Sequence, residues 1–159
     1  LIALLSLSTS ASTLLYYTFA YALAGIAAFA VIIFVSKNKE NEDIANFNGL
    51  GKTNPVMAGI LTASLLSMAG IPVFSGFFAK FMLFTQTIDA GYLIVVIAGV
   101  INSIISIGYY FKLILAMYTK EPSEDNHSNA FVYNVIALVA ILLNVVIGLY
   151  PTLITSLLN

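Results

Sequence analysis

The sequence predicts an all-α integral membrane protein with about four spanning helices, one of which is discontinuous near the middle of the membrane. Two observations predict the membrane class: 60% of the 159 residues are hydrophobic, and only 8% are charged. Soluble domains usually carry about 25% charged residues, so this chain has too few charges to cover a surface that faces water. A third observation, two short apolar segments on either side of a Gly/Pro-rich interruption, predicts the discontinuous helix.

The chain starts inside an apolar stretch, residues 1–9, which has no basic region before it and does not begin with Met. A secretory signal peptide begins with a positively charged region, so we interpret this stretch as the tail of a preceding transmembrane helix. We therefore expect the chain to be the C-terminal part of a longer protein.

Three apolar stretches are long enough to cross a hydrocarbon core of about 30 Å, which takes about 20 helical residues. They cover residues 12–35, 92–119 and 130–150. Polar loops are predicted at 36–54 and 120–129, and the whole chain is expected to form a single membrane region. Tyr16, Tyr17 and Tyr21, near the start of the first stretch, are expected to lie in an interfacial aromatic belt.

The segment 55–88 contains two apolar halves, and neither is long enough to span a membrane alone. The residues between them, 70–76, include Gly70, Pro72 and Gly76, which are typical of a helix break. The segment is therefore predicted to be one discontinuous helix, the alternative being two separate crossings.

The distribution of lysines favours one crossing. With one crossing, the loops 36–54 and 120–129 lie on the same side of the membrane, and four of the six lysines lie in these loops. With two crossings the lysines would be divided between the sides. Because Lys and Arg accumulate in cytoplasmic loops, the single discontinuous helix is the better prediction.

Lys80 is the candidate functional residue, because it follows the predicted break by one turn and has Phe77, Phe78, Phe81 and Phe84 as neighbours. A lysine at the centre of a membrane helix costs roughly 2.5–3.5 kcal/mol on insertion scales, and such residues usually mark ion or proton pathways. The alternative is that Lys80 extends to the interface or neutralises a fixed carboxylate. A position near the middle of the membrane favours the pathway interpretation.

Other polar residues in the apolar segments are open to two interpretations. Asn102, Ser103 and Ser106 form a polar stripe on one helix, which predicts either a water chain or helix–helix contacts. Lys112 extends to the interface or stands at the end of a proton path. Asn144 is open to the same two interpretations as the stripe.

Several classes of function are excluded or disfavoured by composition. The net charge of −1 argues against binding to nucleic acid, and the absence of cysteine excludes thiolate metal sites and thiol catalysis in this stretch. His127 is the only histidine and lies in a polar loop, so no metal site is predicted, because metal sites need several converging ligands. No cofactor site is predicted in the chain.

Four motifs resemble the antiporter-like membrane subunits of respiratory complex I, and most closely the subunit N branch of that family. The resemblance covers nearly the whole chain, and its Gly-Ile-Pro…Gly-Phe…Lys-Phe pattern is specific to the wider superfamily. The motifs are Gly49-Leu50-Gly51-Lys52 with Asn54-Pro55, Leu66-Ser67-Met68-Ala69-Gly70-Ile71-Pro72, Ser75-Gly76-Phe77-Phe78-Ala79-Lys80-Phe81, and Ser106-Ile107-Gly108-Tyr109-Tyr110.

The resemblance implies a fold of fourteen helices with two inverted five-helix repeats, of which this chain would be the tail of helix ten and helices eleven to fourteen. It implies that Lys80 transfers protons in a half-channel to the periplasmic side, in a subunit of a bacterial inner-membrane enzyme that couples quinone reduction to proton pumping. NADH, FMN, iron–sulfur clusters and quinone would then be bound by partner subunits, and this chain would contact other complex I membrane subunits and the lipid bilayer.

The resemblance leaves two alternatives. A related branch has glutamate at the position of Lys80, and the longest branch continues into a lateral helix, whereas this chain has lysine and stops soon after Pro151. This favours the subunit N branch. Subunits of Mrp-type cation/proton antiporters share the break and the lysine, so they are one alternative. The other is a purely structural membrane subunit in which Lys80 holds helices together.

Overall fold

The computed structural model describes residues 2, 11–37, 39, 41, 43–122, 131–152 and 156. Every regular element in these ranges is helical, and three helices are long and apolar enough to cross a membrane. The predicted fold class is therefore confirmed. The helices are α1 (Ala11–Ser36), a 3₁₀ helix (Ile44–Phe47), α2 (Leu50–Thr53), α3 (Pro55–Ala69), α4 (Ser75–Asp89), α5 (Leu93–Thr119) and α6 (Phe131–Leu149).

Together, α3 and α4 form one discontinuous crossing that runs antiparallel to α1. The Tyr21 hydroxyl of α1 donates a hydrogen bond to the Met68 carbonyl at the end of α3 (3.3 Å). Two turns earlier in α1, the Thr13 hydroxyl accepts a hydrogen bond from Gln86 Nε2 near the end of α4 (2.7 Å). Because α1 first contacts the end of α4 and then, two turns later, the end of α3, the two halves follow one another along α1 as one crossing, as the lysine distribution predicts.

The long helix α5 runs antiparallel to this discontinuous helix. The Tyr110 hydroxyl contacts Met68 Sδ of α3 at 3.8 Å. Nearer the start of α5, Gly99 lies against the Phe84 ring of α4, which would be 3.1 Å from a Cβ atom at Gly99. α5 therefore covers both halves and the break between them.

α6 packs against α1 through small and polar residues. Alanines are fully or nearly fully buried on both helices, for example Ala20 and Ala27 on α1 and Ala137 and Ala140 on α6. Small residues let membrane helices approach closely, which strengthens van der Waals packing where lipid gives no hydrophobic driving force. Among the hydrogen bonds between the two helices, the Tyr16 hydroxyl donates to the carbonyl of Ile147 (3.0 Å).

The segment 36–54, which is predicted as a polar loop, contains two short helices, the 3₁₀ helix and α2. It is anchored to the end of α5: Gly49 has φ +67°, and its N–H donates to the Ala116 carbonyl (3.1 Å). Lys52 forms an ion pair with Glu121 (2.9 Å). Of the other predicted segments, the tail at 1–9 is described only at Ile2, and most of the loop at 120–129 lies outside the described residues.

The backbone of α6 lies directly against the segment that separates α3 from α4. A Cβ atom at Gly148 would overlap the Val73 carbonyl oxygen, and it would lie 2.5 Å from the Ser75 nitrogen and 2.6 Å from the Phe74 carbonyl carbon. All three atoms belong to backbone, so none can rotate away. Only glycine fits at this position while the break keeps its conformation.

We predict that Gly148→Ala destabilises the full-length protein by about 1–3 kcal/mol, the usual cost of forcing extra volume into a packed site. The matched control is Gly59→Ala, because Gly59 is also helical and a Cβ atom there would meet nothing within 4 Å. The measurement is the thermal unfolding midpoint of the full-length protein in detergent. Equal losses for the two variants would contradict the close approach.

Candidate functional site

The end of α3 is the central feature of the site, because a helix that stops inside a membrane leaves its last carbonyls without helical partners. Gly70 adopts a left-handed conformation (φ +87°), and its N–H donates to the carbonyl of Ser67 (3.0 Å). The N–H of Ile71 donates to the carbonyl of Leu66 (3.0 Å). These two bonds form a Schellman motif, which satisfies two of the last carbonyls with backbone alone.

Side chains satisfy the next two carbonyls. The Met68 carbonyl accepts the hydrogen bond from the Tyr21 hydroxyl, and the Ala69 carbonyl accepts one from Lys80 Nζ (3.2 Å). Lys80 therefore lies one turn into α4 and caps α3. Its positive charge also lies at the negative end of the α3 dipole, which is a favourable place for a cation.

Lys80 makes a second polar contact, with α5. Nζ lies 3.3 Å from Ser103 Oγ, and Ser103 in turn donates to the Gly99 carbonyl (2.9 Å). Ser103 lies about ten residues into α5, about 15 Å along the helix axis, so the contact is deep in the bundle. Within the described ranges, no carboxylate oxygen lies within 4 Å of Lys80 Nζ.

The Lys80 side chain is only half-buried, because it borders a cavity of about 370 Å³. Helices α1, α3, α4 and α5 all contribute to this space, which we call the Lys80 cavity. Its polar lining consists of Lys80, Tyr17, Tyr21, Asn102, Ser103, Ser106, Tyr109 and Tyr110.

The structure brings together four of the predicted site residues and separates another. Lys80, Asn102, Ser103 and Ser106 all line the Lys80 cavity. Lys112 instead lines a different cavity at the lysine-bearing end of the bundle.

The residues predicted at the break divide into two groups. Gly70 and Pro72 lie in the non-helical segment between α3 and α4. Gly76 does not: it is the second residue of α4, and a Cβ atom there would overlap the carbonyl oxygen of Ser67 in α3. Gly76 therefore allows the backbones of α3 and α4 to approach closely. The break covers residues 70–74 and is shorter than the predicted 70–76.

Sequence reasoning missed the tyrosines of the site. The aromatic cluster near the start of α1 suggests an interfacial belt, but Tyr16 is completely buried, and Tyr17 and Tyr21 line the Lys80 cavity. On α5, Tyr109 donates a hydrogen bond to Ser106 Oγ (3.0 Å). The one sequence feature that indicates this arrangement is the spacing of Tyr17 and Tyr21, which puts both side chains on one face of α1.

Asn144 serves as a helix contact. It is completely buried, its Oδ1 accepts a hydrogen bond from Ser67 Oγ (2.9 Å), and its Nδ2 donates to the Ala20 carbonyl (3.0 Å). It therefore links α6 to α3 and α1 behind the break. Hydrogen bonds between membrane helices are worth about 0.6 kcal/mol each on average, so these two bonds add a modest stabilisation to the packing of the three helices.

Among the described residues, no group of three or more His, Cys, Asp or Glu side chains is arranged to hold a metal ion. His127, the histidine of the polar loop at which no metal site is predicted, lies outside the described residues.

Comparison with known proteins agrees with this architecture. Residues 1–106 match the family described as NADH:quinone oxidoreductase/Mrp antiporter, transmembrane. The chain is 63% identical over 159 residues to NADH-quinone oxidoreductase subunit N of Flavobacterium johnsoniae, a match that covers all of this chain and 34% of the relative. It is 44% identical over 147 residues to subunit N of Cytophaga hutchinsonii, which covers 91% of this chain and 32% of the relative.

A solved structure has the same fold. The match is to a chain of respiratory complex I from Thermus thermophilus with bound aureothin, with a TM-score of 0.84 and 26% identity, and it covers 98% of this chain and 36% of that chain. The chain thus spans about a third of the length of the relatives it matches. These matches confirm the resemblance seen in the sequence motifs: the chain belongs to the NADH:quinone oxidoreductase/Mrp antiporter family of transmembrane subunits.

Proposed function

We propose that this chain is part of a proton-translocating membrane subunit of bacterial NADH-quinone oxidoreductase, in which Lys80 accepts and releases protons. The observation that carries the proposal is the position of the Lys80 ammonium group at the helix break, facing a cavity with polar walls. An ionisable group inside a membrane protein that faces such a cavity is typical of proton pathways.

The contacts of Lys80 suit a group that changes its protonation state. Its two hydrogen-bond partners, the Ala69 carbonyl and the Ser103 hydroxyl, are both neutral. The ammonium form has three N–H donors and the neutral amine has two, so either form can donate to the Ala69 carbonyl and to the Ser103 hydroxyl oxygen, while the hydroxyl proton of Ser103 stays on the Gly99 carbonyl. Both states of the lysine therefore keep their partners, and no carboxylate among the described residues fixes the proton on it.

The Lys80 cavity supplies a route for the proton. A volume of about 370 Å³ has room for several water molecules, each of which takes about 30 Å³ in the liquid. Asn102, Ser103, Ser106 and Tyr109 place hydrogen-bonding groups along one side of this volume on α5. We infer that these groups and water connect Lys80 to the neighbouring parts of the full subunit.

In this proposal, electron transfer from NADH through FMN and iron–sulfur clusters to quinone takes place in partner subunits, and this chain contributes no redox chemistry. Its partners are other complex I membrane subunits and the lipid of the bacterial inner membrane. The names of the relatives support this assignment, since those compared above are both subunit N of NADH-quinone oxidoreductase.

The second candidate is a subunit of an Mrp-type cation/proton antiporter, because the family model covers both kinds of protein. The two are distinguished by what drives transport. Proton movement that depends on NADH oxidation supports the first, whereas sodium-driven proton exchange in vesicles without a respiratory substrate supports the second.

We predict that Lys80→Ala in the full-length protein abolishes most NADH-driven proton pumping per assembled complex, because a positioned proton-transfer group typically contributes about 10²–10⁴-fold to its step. Pumping is measured in inverted vesicles and normalised to the amount of complex. Lys37→Ala is the control, since Lys37 is exposed at the end of α1 and lies over the Tyr133 ring, far along α1 from the break.

Lys80→Arg separates the proton-transfer role from a structural one. Arginine keeps the positive charge and the hydrogen-bond donors at the end of α3 but does not release its proton in proteins. If Lys80 transfers protons, this variant assembles and fails to pump. If Lys80 only holds α3 and α5 together, the arginine variant assembles and pumps at a normal rate, which would contradict the proposal.

We also predict that Tyr109→Phe slows NADH-driven pumping by severalfold without reducing assembly, because it removes the hydroxyl that donates to Ser106 at the wall of the Lys80 cavity. The matched control is Tyr150→Phe, since Tyr150 is exposed just beyond the end of α6. Equal pumping rates for wild type and both variants would place Tyr109 outside the proton route.

A further inference from the structure

A second cavity, of about 280 Å³, lies at the end of the bundle where the lysines gather. We call it the Lys112–Lys120 cavity. One wall is α5 and the other is the polar connection around the 3₁₀ helix, which the Gly49–Ala116 hydrogen bond holds against α5. Its lining includes Asp43, Ile44, Asn48, Lys112, Ala116 and Lys120.

Two positive charges converge on this cavity. Lys112 and Ala116 are spaced four residues apart, so they lie on one face of α5. Lys120 follows the last residue of α5 and lines the same cavity. Both lysines are exposed, and no carboxylate among the described residues lies within 4 Å of either ammonium group. Other lysines at this end have partners: Lys52 pairs with Glu121, and Lys37 lies 5.8 Å from the Tyr133 ring centroid.

One negative charge faces the same cavity. The Asp43 carboxylate caps the 3₁₀ helix by accepting a hydrogen bond from the Ala45 N–H through Oδ1 (3.2 Å). This bond is local, so it fixes the carboxylate on the wall opposite α5. The cavity therefore presents two cations on one side and one anion on the other.

The cavity lies near the end of α5, beside an exposed apolar face of that helix. Lys120 directly follows the last residue of α5, whereas Lys112 lies about two turns, about 12 Å, further inside the bundle. The face of α5 beside the lysines is apolar and exposed, with Phe111 at 42% and Leu115 at 56% of their full accessibility. A molecule bound here would have a charged part in the cavity and an apolar part beside α5.

We propose that the Lys112–Lys120 cavity binds the headgroup of a phospholipid that carries a primary ammonium group, as phosphatidylethanolamine does. The phosphate lies between the two lysines, the ammonium group of the lipid lies against Asp43, and the acyl chains run along Phe111 and Leu115. Basic pockets between helices on the lysine-rich side are a known means of binding lipid phosphate. The carboxylate opposite the lysines is what selects an ammonium-bearing headgroup.

The test uses the assembled complex that contains the full-length protein, reconstituted in phosphatidylcholine vesicles with a small fraction of phosphatidylethanolamine that carries a photoreactive group near the start of one acyl chain. Labelled peptides are identified by mass spectrometry. We expect labelling of the α5 segment around Phe111 and Leu115. Each lysine near a membrane surface is worth about fivefold in affinity for anionic lipid, and the same value applied to the lipid phosphate predicts that Lys112→Gln with Lys120→Gln lowers labelling about 25-fold.

The matched control is Lys37→Gln with Lys52→Gln, which removes the same charge from the same end of the bundle and leaves labelling at α5 unchanged. A loss of labelling as large in the control would mean that general surface charge, not this cavity, attracts the lipid, and would overturn the proposal. Displacement of the lipid by millimolar inorganic phosphate would show a site for a free anion and would overturn it as well.

Asp43→Asn tests the selection of the headgroup. Asparagine still caps the 3₁₀ helix, so the fold of the connection is kept while the charge is lost. We expect this variant to lose its preference for phosphatidylethanolamine over phosphatidylglycerol that carries the same photoreactive group. An unchanged preference would show that Asp43 does not contact the lipid ammonium group.

Discussion

The structure depends on one constraint: a helix that ends in the middle of a membrane leaves carbonyl oxygens that have no helical partner and that lipid cannot hydrogen-bond. An unpaired carbonyl in such a place costs about 1–3 kcal/mol or more, and α3 ends with four of them. Gly70 and Ile71 satisfy two through the backbone, Tyr21 satisfies a third, and Lys80 satisfies the fourth. The break is stable because three helices, α1, α4 and α5, bring donors or packing to the same few atoms.

This arrangement explains why a lysine is tolerated at such depth. The insertion cost of a lysine, roughly 2.5–3.5 kcal/mol, is similar in size to the cost of leaving a buried carbonyl without a partner. Placing one beside the other offsets much of both, and the α3 dipole adds a further favourable contribution. The structural role of Lys80 and the proton-transfer role that we propose for it therefore have one origin, since the same ammonium group that completes the end of α3 also faces the Lys80 cavity.

The membrane class, the discontinuous crossing and the polar stripe of Asn102, Ser103 and Ser106 could be predicted from the sequence, because each depends on hydrophobicity or helical spacing. The hydrogen bond between Lys80 and Ser103 could not be predicted, because it depends on how α4 and α5 pack. The position of Tyr17 and Tyr21 in the wall of the Lys80 cavity could not be predicted from the sequence. An aromatic cluster near a helix start has the same pattern whether it lies at an interface or around a cavity, and only the antiparallel pairing of α1 with the discontinuous helix decides between them. The place of Gly76 inside α4, and not in the break, could not be predicted for a similar reason. A glycine that is needed for close contact between two backbones looks the same in sequence as one that ends a helix.

The contact between Gly148 and the segment after Gly70 has a mechanical consequence. Backbone atoms of α6 lie against backbone atoms of the break, so the break cannot straighten or unwind further without moving a whole neighbouring helix. Val73 is fixed there with φ +93°, a conformation that a β-branched residue adopts only when its surroundings impose it. The interruption is therefore not a hinge, because the backbone of α6 holds it in one conformation.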